Sequence, residues 1–434
     1  MNISILSVFP ELYTSFLTTS LMHRAQERGL VSISVESFFS YAEPKERIDA
    51  PTFGHGDGML LRPDIVEKAI EDRERLHGKA LKIFFSPHGK KLTQRELQRL
   101  VERMQQTEHV LCVAGRYEGM DARVEQEYAD EIVSIGDYVL MGGDLPVMVM
   151  LEGALRLIPG VISKPQSVAR DSFQGALVDY PEYTAPVVWR DKQVPEVVRS
   201  GNHALLEEWR CEQSVERTLF QHFDWLRESI ITEKEKKQVQ AIMPHHYVVL
   251  AHGDVLVGPE REKGTTSVTS IDIHDIARSS ATYGIKQFFI VTPLADQHRI
   301  VTTLLDFWQK GAGIEYNRVR HTAINQVSVL DTIEDAIAAI VKREGLYPLL
   351  VATSARQTEH MGQITYYDQA VAWETRRPLL FIFGTGQGLT KELIDRCDYL
   401  LPPVAGFSDF NHLSVRSAVA IVLDRWLGNN QKNR

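Results

Sequence analysis

The segment SIGDYVLMGGDLPVMVMLEGALRLI (134–158) runs a glycine-broken loop straight into a long apolar stretch, and two loops of the same kind precede it. LKIFF (81–85) opens into SPHG (86–89), and VLCV (110–113) opens into AGRYEGMD (114–121). The second half holds a matching series: LLVA (349–352) into TSAR, LLFIF (379–383) into GTGQGLT (384–390), and YLLPPVAGFSDF (399–410) into HLSVRSAVAIVLDRWL (412–427). Short apolar runs bounded by glycine turns read as buried strands, and those alternating with amphipathic helical patterns read as a parallel α/β sheet. The loop spacings are similar in the two halves: Ser86 to Gly115 is 29 positions and Thr353 to Gly384 is 31, then 27 to Gly142 against 22 to Gly406. Two diverged copies of one ligand-binding fold account for this better than a solenoid, whose repeat is shorter.

At 434 residues the chain is long enough for two or three domains, and 44% hydrophobic with 24% charged residues is the balance of a soluble globular protein. The absence of an apolar run of about 18 residues, and of a leader at Met1, predicts a cytoplasmic protein with no membrane span. Cys112, Cys211 and Cys397 lie far apart and match no metal spacing, so packed thiols are expected. The net charge is −9, with 29 basic against 37 acidic residues in 1–243 and 19 against 20 in 244–434. A basic excess typical of nucleic-acid binders is therefore missing, and any such function rests on local clusters such as 89–103 and KEKK (234–237), each of which, taken alone, reads better as a solvated helix face.

Outward from the loops, strands are expected at 3–9 and 30–38 and a helix at 63–78 closed by Gly78. A long irregular stretch follows Pro159, then helices alone over 202–243, and a new strand at 246–252 after Pro244. GTGQGL (384–389) does not fit a dinucleotide fingerprint, being G-x-G-x-G and lying late in its domain; no lysine-bearing phosphate loop is present either. What remains is backbone approaching a flat or extended ligand where no Cβ fits, or glycines that serve only tight turns.

The first half resembles the bacterial tRNA (guanine-N1)-methyltransferase (TrmD) family of the SPOUT superfamily, on SVFPELY (7–13), GDGML (56–60), SPHGKKL (86–92), CVAGRYEGMDARV (112–124), SIGDYVLMGGDLPVMVM (134–150), RLIPGV (156–161), DSF (171–173) and SGNHALLEEWR (200–210). That resemblance implies a trefoil-knotted parallel-sheet fold, S-adenosylmethionine as cofactor, methylation of N1 of guanosine 37 in tRNA, and a homodimer. It implies a cofactor cradle of Ser86, Pro87, Gly115, Tyr117, Glu118, Gly119, Ser134, Ile135, Gly136, Tyr138, Leu140, Gly142, Gly143 and Pro146, with Asp171 and Arg156 as the catalytic pair. Without it, Asp171 reads as a helix N-cap and Arg156 as a surface residue. The family is also associated with Mg2+, for which Glu118 and Asp171 would be neighbours, and its RNA grip would use Arg210, Arg217 and Lys234. The chain departs from the family pattern at His55 and Asp57, and at Met141 and Asp144.

The second half resembles SPOUT enzymes of the ribose 2′-O-methylating branch, on SIDIHDIARSSATYGI (270–285), FGTGQGL (383–389) and PPVAGFSDFNHLSVRSAVAI (402–421). This implies Arg278 as the catalytic arginine and a second cradle of Thr353, Gly384, Gly386, Gly388, Leu401, Asn411 and Ser414. Arg278 reads otherwise as a phosphate ligand, and the whole half as a silent RNA-binding or dimerising module. The expected organisation is a first SPOUT domain at 1–160, a linker at 161–175, a small helical tRNA-binding domain at 176–243, and a second SPOUT domain at 244–434.

Overall fold

In the computed structural model, residues 1–54, 56–163 and 170–429 are described. His55, residues 164–169 of the expected linker, and 430–434 of the expected C-terminal tail lie outside the described residues. The chain divides into two compact units, Met1–Gln174 and Gly175–Arg434.

The first unit is built on strands β1 (Asn2–Ser7), β2 (Ser32–Ser37), β3 (Ala80–Lys91), β4 (His109–Val113) and β5 (Glu131–Ser134). The sheet order is β2-β1-β4-β3-β5, every pair parallel. Covered on both faces, its strands carry the continuous apolar runs such sheets require: Ile83 and Phe84, and Val110 to Val113, are fully buried. Helix α1 (Pro63–His77) starts on its proline and ends at Gly78, whose φ of +83° suits only glycine without strain. Helix α2 (Gln94–Gln105) is capped by Thr93, and α3 (Ala122–Tyr128) by Asp121. The apolar run expected at 147–158 forms α4 (Asp144–Leu155), which begins three residues earlier and is buried along most of its length. After Pro10 the chain forms only a 3-10 turn, Pro10–Tyr13, followed by one short helical turn, Thr14–Leu17.

The second unit opens with helices α5 (His203–Gln221), α6 (Phe223–Glu228) and α7 (Glu233–Ile242). Its sheet follows with β6 (His246–Ala251), helix α8 (Ser270–Thr282), β7 (Gln287–Val291), β8 (Val327–Leu330), β9 (Leu349–Thr353), β10 (Leu379–Gly384), β11 (Tyr399–Leu401) and helix α9 (Val415–Leu427). The order β8-β7-β6-β10-β9-β11 is again wholly parallel. With edge strand β8 removed it is the order of the first sheet, so β9, β10 and β11 occupy the places of β3, β4 and β5. The glycine loops aligned by spacing thus leave equivalent strands.

The helices expected as a separate domain at 176–243 instead share a core with the second sheet. Val215, Leu219, Leu226 and Val239 belong to the same buried cluster as Val248, Phe381, Trp373 and Trp426. Arg227 fastens the join: it is buried, and its guanidinium donates to the carbonyls of Asp424, Arg425 and Gly428 at 3.0–3.2 Å. Those carbonyls belong to the end of α9, where helical partners run out and positive charge is favoured.

Candidate active sites

In each unit the three glycine segments meet on the carboxyl side of the sheet, the place where ligands bind in open parallel α/β sheets; in the first unit SPHG interrupts β3 between Phe85 and Lys90, where its register against β5 shifts. The first cleft encloses about 430 Å3, and all of the residues expected to cradle the cofactor there line it, from Ser86 and Pro87 through Gly115–Gly119 to Gly142, Gly143 and Pro146. Such a volume suits a small organic ligand. Sequence reasoning missed His88 and Glu125, which also line it. His88 stands 3.3 Å from Glu125, and its Nδ1 is 2.7 Å from Ser86 Oγ. Burial raises the Glu125 carboxyl above its ordinary range.

The loops are joined by a buried polar knot. The Asp144 carboxylate, 1% exposed, receives hydrogen bonds from Ser7 Oγ at 2.5 Å, Tyr13 Oη at 3.0 Å and Arg116 Nε at 2.8 Å. It opens α4, where negative charge is favoured, and ties the loop after β4 to the loop before the helix. Burial, then Asp144, pushes the Tyr13 phenol far up. Gly143 sits where those loops touch. A Cβ there would lie 2.8 Å from Gly115 N and 3.0 Å from Ala114 Cα, and Gly143 N donates to Gly115 O at 2.7 Å. In the second unit a Cβ on Gly384 would lie 2.7 Å from Leu389 N. At Gly143 glycine permits one loop to approach another, and at Gly384 it lets a single loop fold back on itself. A methyl donor with a flat ring fits the resulting surface: open backbone at Gly119, and Tyr138, Leu140 and Pro146 for walls.

Asp171 and Arg156 are brought together. Arg156 Nη2 donates to Asp171 Oδ2 at 2.6 Å, and turns follow Asp171 in place of the helix it would have capped. Arg156 is itself the residue that ends α4. Neither lines the cleft of its own chain. The Mg2+ expected beside Glu118 and Asp171 does not fit: the Asp171 carboxylate is engaged by Arg156, and among the described residues no group of three or more His, Cys, Asp or Glu could hold a metal. Of the expected RNA contacts, Arg210 is paired with Glu207 at 2.8 Å and stacked on Tyr180, and Arg217 donates to the Asp179 carbonyl at 3.3 Å. Lys234 is exposed.

The second cleft encloses about 790 Å3 and is lined by Thr353, Gly384, Gly386, Gly388, Asn411 and Ser414 as expected. Asn411 Nδ2 donates to the Ala355 carbonyl at 2.7 Å. Two expected residues do not line it. Leu401 is fully buried in β11, paired with Thr353, and the wall there is Pro402. Arg278 is exposed on α8 and does not reach the cleft, because Asp272, on the same helix, occupies the turn that faces it. The arginines on the wall are Arg261 and Arg356, and the buried His252 joins them. His252 was findable, being the residue directly after β6 at the carboxyl end of the sheet. Cys112 and Cys397 are buried free thiols, pushed up to about 12 by burial. Among the described residues no helix is long and apolar enough to cross a membrane.

Residues 1–228 match the family described as tRNA (Guanine-1)-methyltransferase TrmD, and residues 245–428 match the family described as SAM-dependent RNA methyltransferase. The chain is 38% identical over 434 residues to a tRNA (guanine-N(1)-)-methyltransferase of Nitratidesulfovibrio vulgaris, and 35% identical to one of Oleidesulfovibrio alaskensis, covering 99% of both partners in each case. A relative of the same name from Bacillus subtilis is 37% identical over 241 residues, which is 55% of this chain and 98% of that one.

Proposed function

Since the chain belongs to the tRNA (guanine-1)-methyltransferase TrmD family and carries a second, SAM-dependent RNA methyltransferase domain, we propose that its first unit methylates N1 of guanosine 37 in tRNA and its second a ribose 2′-oxygen in RNA. The observation that carries the first half of this reading is the convergence of the whole expected cradle, Ser86 to Pro146, on one cleft. The tRNA substrate assigns the work to the cytoplasm.

Bound S-adenosylmethionine supplies an electrophilic methyl group on a sulfonium. The chain's own residues do the rest. Guanine N1 carries a proton at neutral pH, so Asp171 accepts it as the nucleophile forms. Negative charge then grows on O6, and Arg156, held 2.6 Å from Asp171, stabilises it. The loops hold the two reactants in line, which supplies much of the remaining acceleration. The pair stands outside the lining of its own chain's cleft, which supports a homodimer in which each copy completes the other's site. The target base, in a folded anticodon arm, is turned outward to reach the cleft. A trefoil-knotted backbone around each cleft belongs to the same reading, as does tRNA contact through the helices at 203–242. Fusing the two activities raises the local concentration of substrate for the second.

The test is incubation of the full chain with labelled S-adenosylmethionine and unmodified tRNA, followed by nucleoside analysis. Formation of 1-methylguanosine that disappears in Asp171→Ala is expected. Its absence, or full activity in that variant, overturns the reading. Label in an alkali-resistant dinucleotide, the alkali-stable product, reports the second activity, because a 2′-O-methyl group blocks strand cleavage at that position.

A further inference from the structure

We propose that in the second cleft His252 accepts the proton of the nucleophile, with Arg261 and Arg356 holding the phosphodiester beside it. This rests on the reading that the second unit methylates a ribose hydroxyl.

His252 lines the cleft and is 1% exposed. A chain of hydrogen bonds decides which of its nitrogens carries the proton. The Ala251 carbonyl can only accept, and it takes the Thr385 hydroxyl proton at 2.8 Å. Thr385 Oγ1 is bonded to Thr266 Oγ1, and having spent its own proton it must accept there. Thr266 Oγ1, having donated to Thr385, must in turn accept at its 2.9 Å contact with His252 Nδ1. The ring is therefore protonated on Nδ1, and Nε2 is left with a bare lone pair. Nε2 is also one of the few buried side-chain atoms without a hydrogen-bond partner among the described residues. A buried, unpaired acceptor is costly to keep and marks a place where a ligand group completes the bonding. Burial holds the imidazole neutral, its pKa down at about 4, so the lone pair is present throughout the neutral range but is a weaker base than a solvated imidazole, an effect the Asp272 charge partly offsets.

The neighbouring carboxylate is already engaged at both of its oxygens. Asp272 lines the same cleft, but its Oδ2 takes the Thr269 hydroxyl and its Oδ1 takes Arg416 Nη1 at 3.2 Å. Its charge favours the imidazolium that forms when the proton arrives. Arg261 and Arg356 line the mouth, and among the described residues neither has a carboxylate within ion-pair distance. Arg356 is oriented by donating to the Gln387 carbonyl at 2.5 Å. Two guanidiniums without counter-ions on a chain of net charge −9 fit a polyanion that brings the charge with it. In the step itself the hydroxyl proton passes to Nε2. An oxygen lone pair forms the bond to the methyl carbon, the carbon–sulfur pair returns to sulfur, and nothing else is consumed.

The experiment uses the full chain, labelled S-adenosylmethionine and unmodified tRNA, scoring alkali-stable label against 1-methylguanosine in the same digest. His252→Asn keeps an N–H toward Thr266 but has no atom at Nε2; His252→Gln places an amide near it that is no base. Both are expected to lose ~10²–10⁴-fold of the alkali-stable product while 1-methylguanosine is unchanged. Arg261→Ala with Arg356→Ala is expected to raise the RNA KM and flatten its salt dependence. Independently of turnover, 15N spectra of histidine-labelled protein, with His252 assigned by its loss in His252→Asn, should show a bare Nε2 and a protonated Nδ1 whose Nε2 shift moves when RNA binds. Wild-type production of the alkali-stable product by His252→Asn, or a protonated Nε2 at neutral pH, overturns the role of His252 alone. A wild-type chain that makes no such product overturns the ribose reading and this role with it.

Discussion

Arg156 Nη2 donates to Asp171 Oδ2 at 2.6 Å, joining the residue that ends α4 to a residue fifteen positions further along the chain. A base and a cation held in one geometry can accept a proton and answer the charge that develops on the same purine ring. The pair is partly open to solvent, with side-chain exposures of 43% and 29%, so the contact itself adds little to stability.

Asp171→Asn removes the proton acceptor but keeps the shape of the side chain. The expected loss of 1-methylguanosine formation is ~10²–10⁴-fold in kcat, with cofactor affinity unchanged because Asp171 does not line the cleft. Equilibrium binding of the cofactor beside single-turnover methyl transfer checks both halves.

Gly143→Ala puts a methyl group against the backbone of Gly115 and Ala114 at 2.8–3.0 Å. Neither contact can rotate away, so the loop must shift, at about 1–3 kcal/mol. Calorimetric titration should lose cofactor binding at the first cleft and keep it at the second. Gly384→Ala should do the reverse.

Asp144→Ala strips a buried carboxylate from Ser7, Tyr13 and Arg116. Removing one partner of a buried pair costs about 3–5 kcal/mol. The unfolding transition of the first unit should move by that amount, and that of the second should stay in place.

Between pH 6.5 and 5 the second unit should lose stability. Burial depresses His246 from 6.5 to about 3 and His252 to about 4. In that window the unfolded chain therefore binds protons that the folded chain refuses. The stability is complete above the unfolded value and falls as pH drops, by up to about 1.4 kcal/mol per pH unit for each histidine. Denaturant titrations at several pH values measure the slope, and a flat profile contradicts it. His246→Phe leaves the indole N–H groups of Trp373 and Trp426, now bonded to His246 Nε2 at 3.0 and 3.2 Å, without a partner. The cost is roughly 2–6 kcal/mol.

Much of this was legible in the chain itself. LKIFF, VLCV and LLFIF are largely apolar without alternation, as strands covered on both faces must be, and each runs into a segment containing glycine. Loop spacing paired the two halves correctly because equivalent strands set similar distances between their ends. The position of α5 to α7 was not legible. Their apolar residues announce a buried face, but not which core receives it, and Arg227 reads as a solvated charge until the end of α9 is placed against it. Arg278 and Leu401 lie off the cleft of their own chain for a related reason. A motif names residue types in order, whereas facing a cleft depends on which turn of α8 and which side of β11 the sheet turns toward it.

By itself, then, the sequence determined two parallel sheets, their strand ends and the glycine loops that leave them, since periodicity and turn chemistry act over a few residues. Only the tertiary structure decided which side chains meet: Asp171 with Arg156, Asp144 with Arg116, and His252 with the threonines that bare its Nε2. Those meetings join residues as much as 119 positions apart, as at Thr266 and Thr385, and arise from strand order and burial, which no short window of sequence contains.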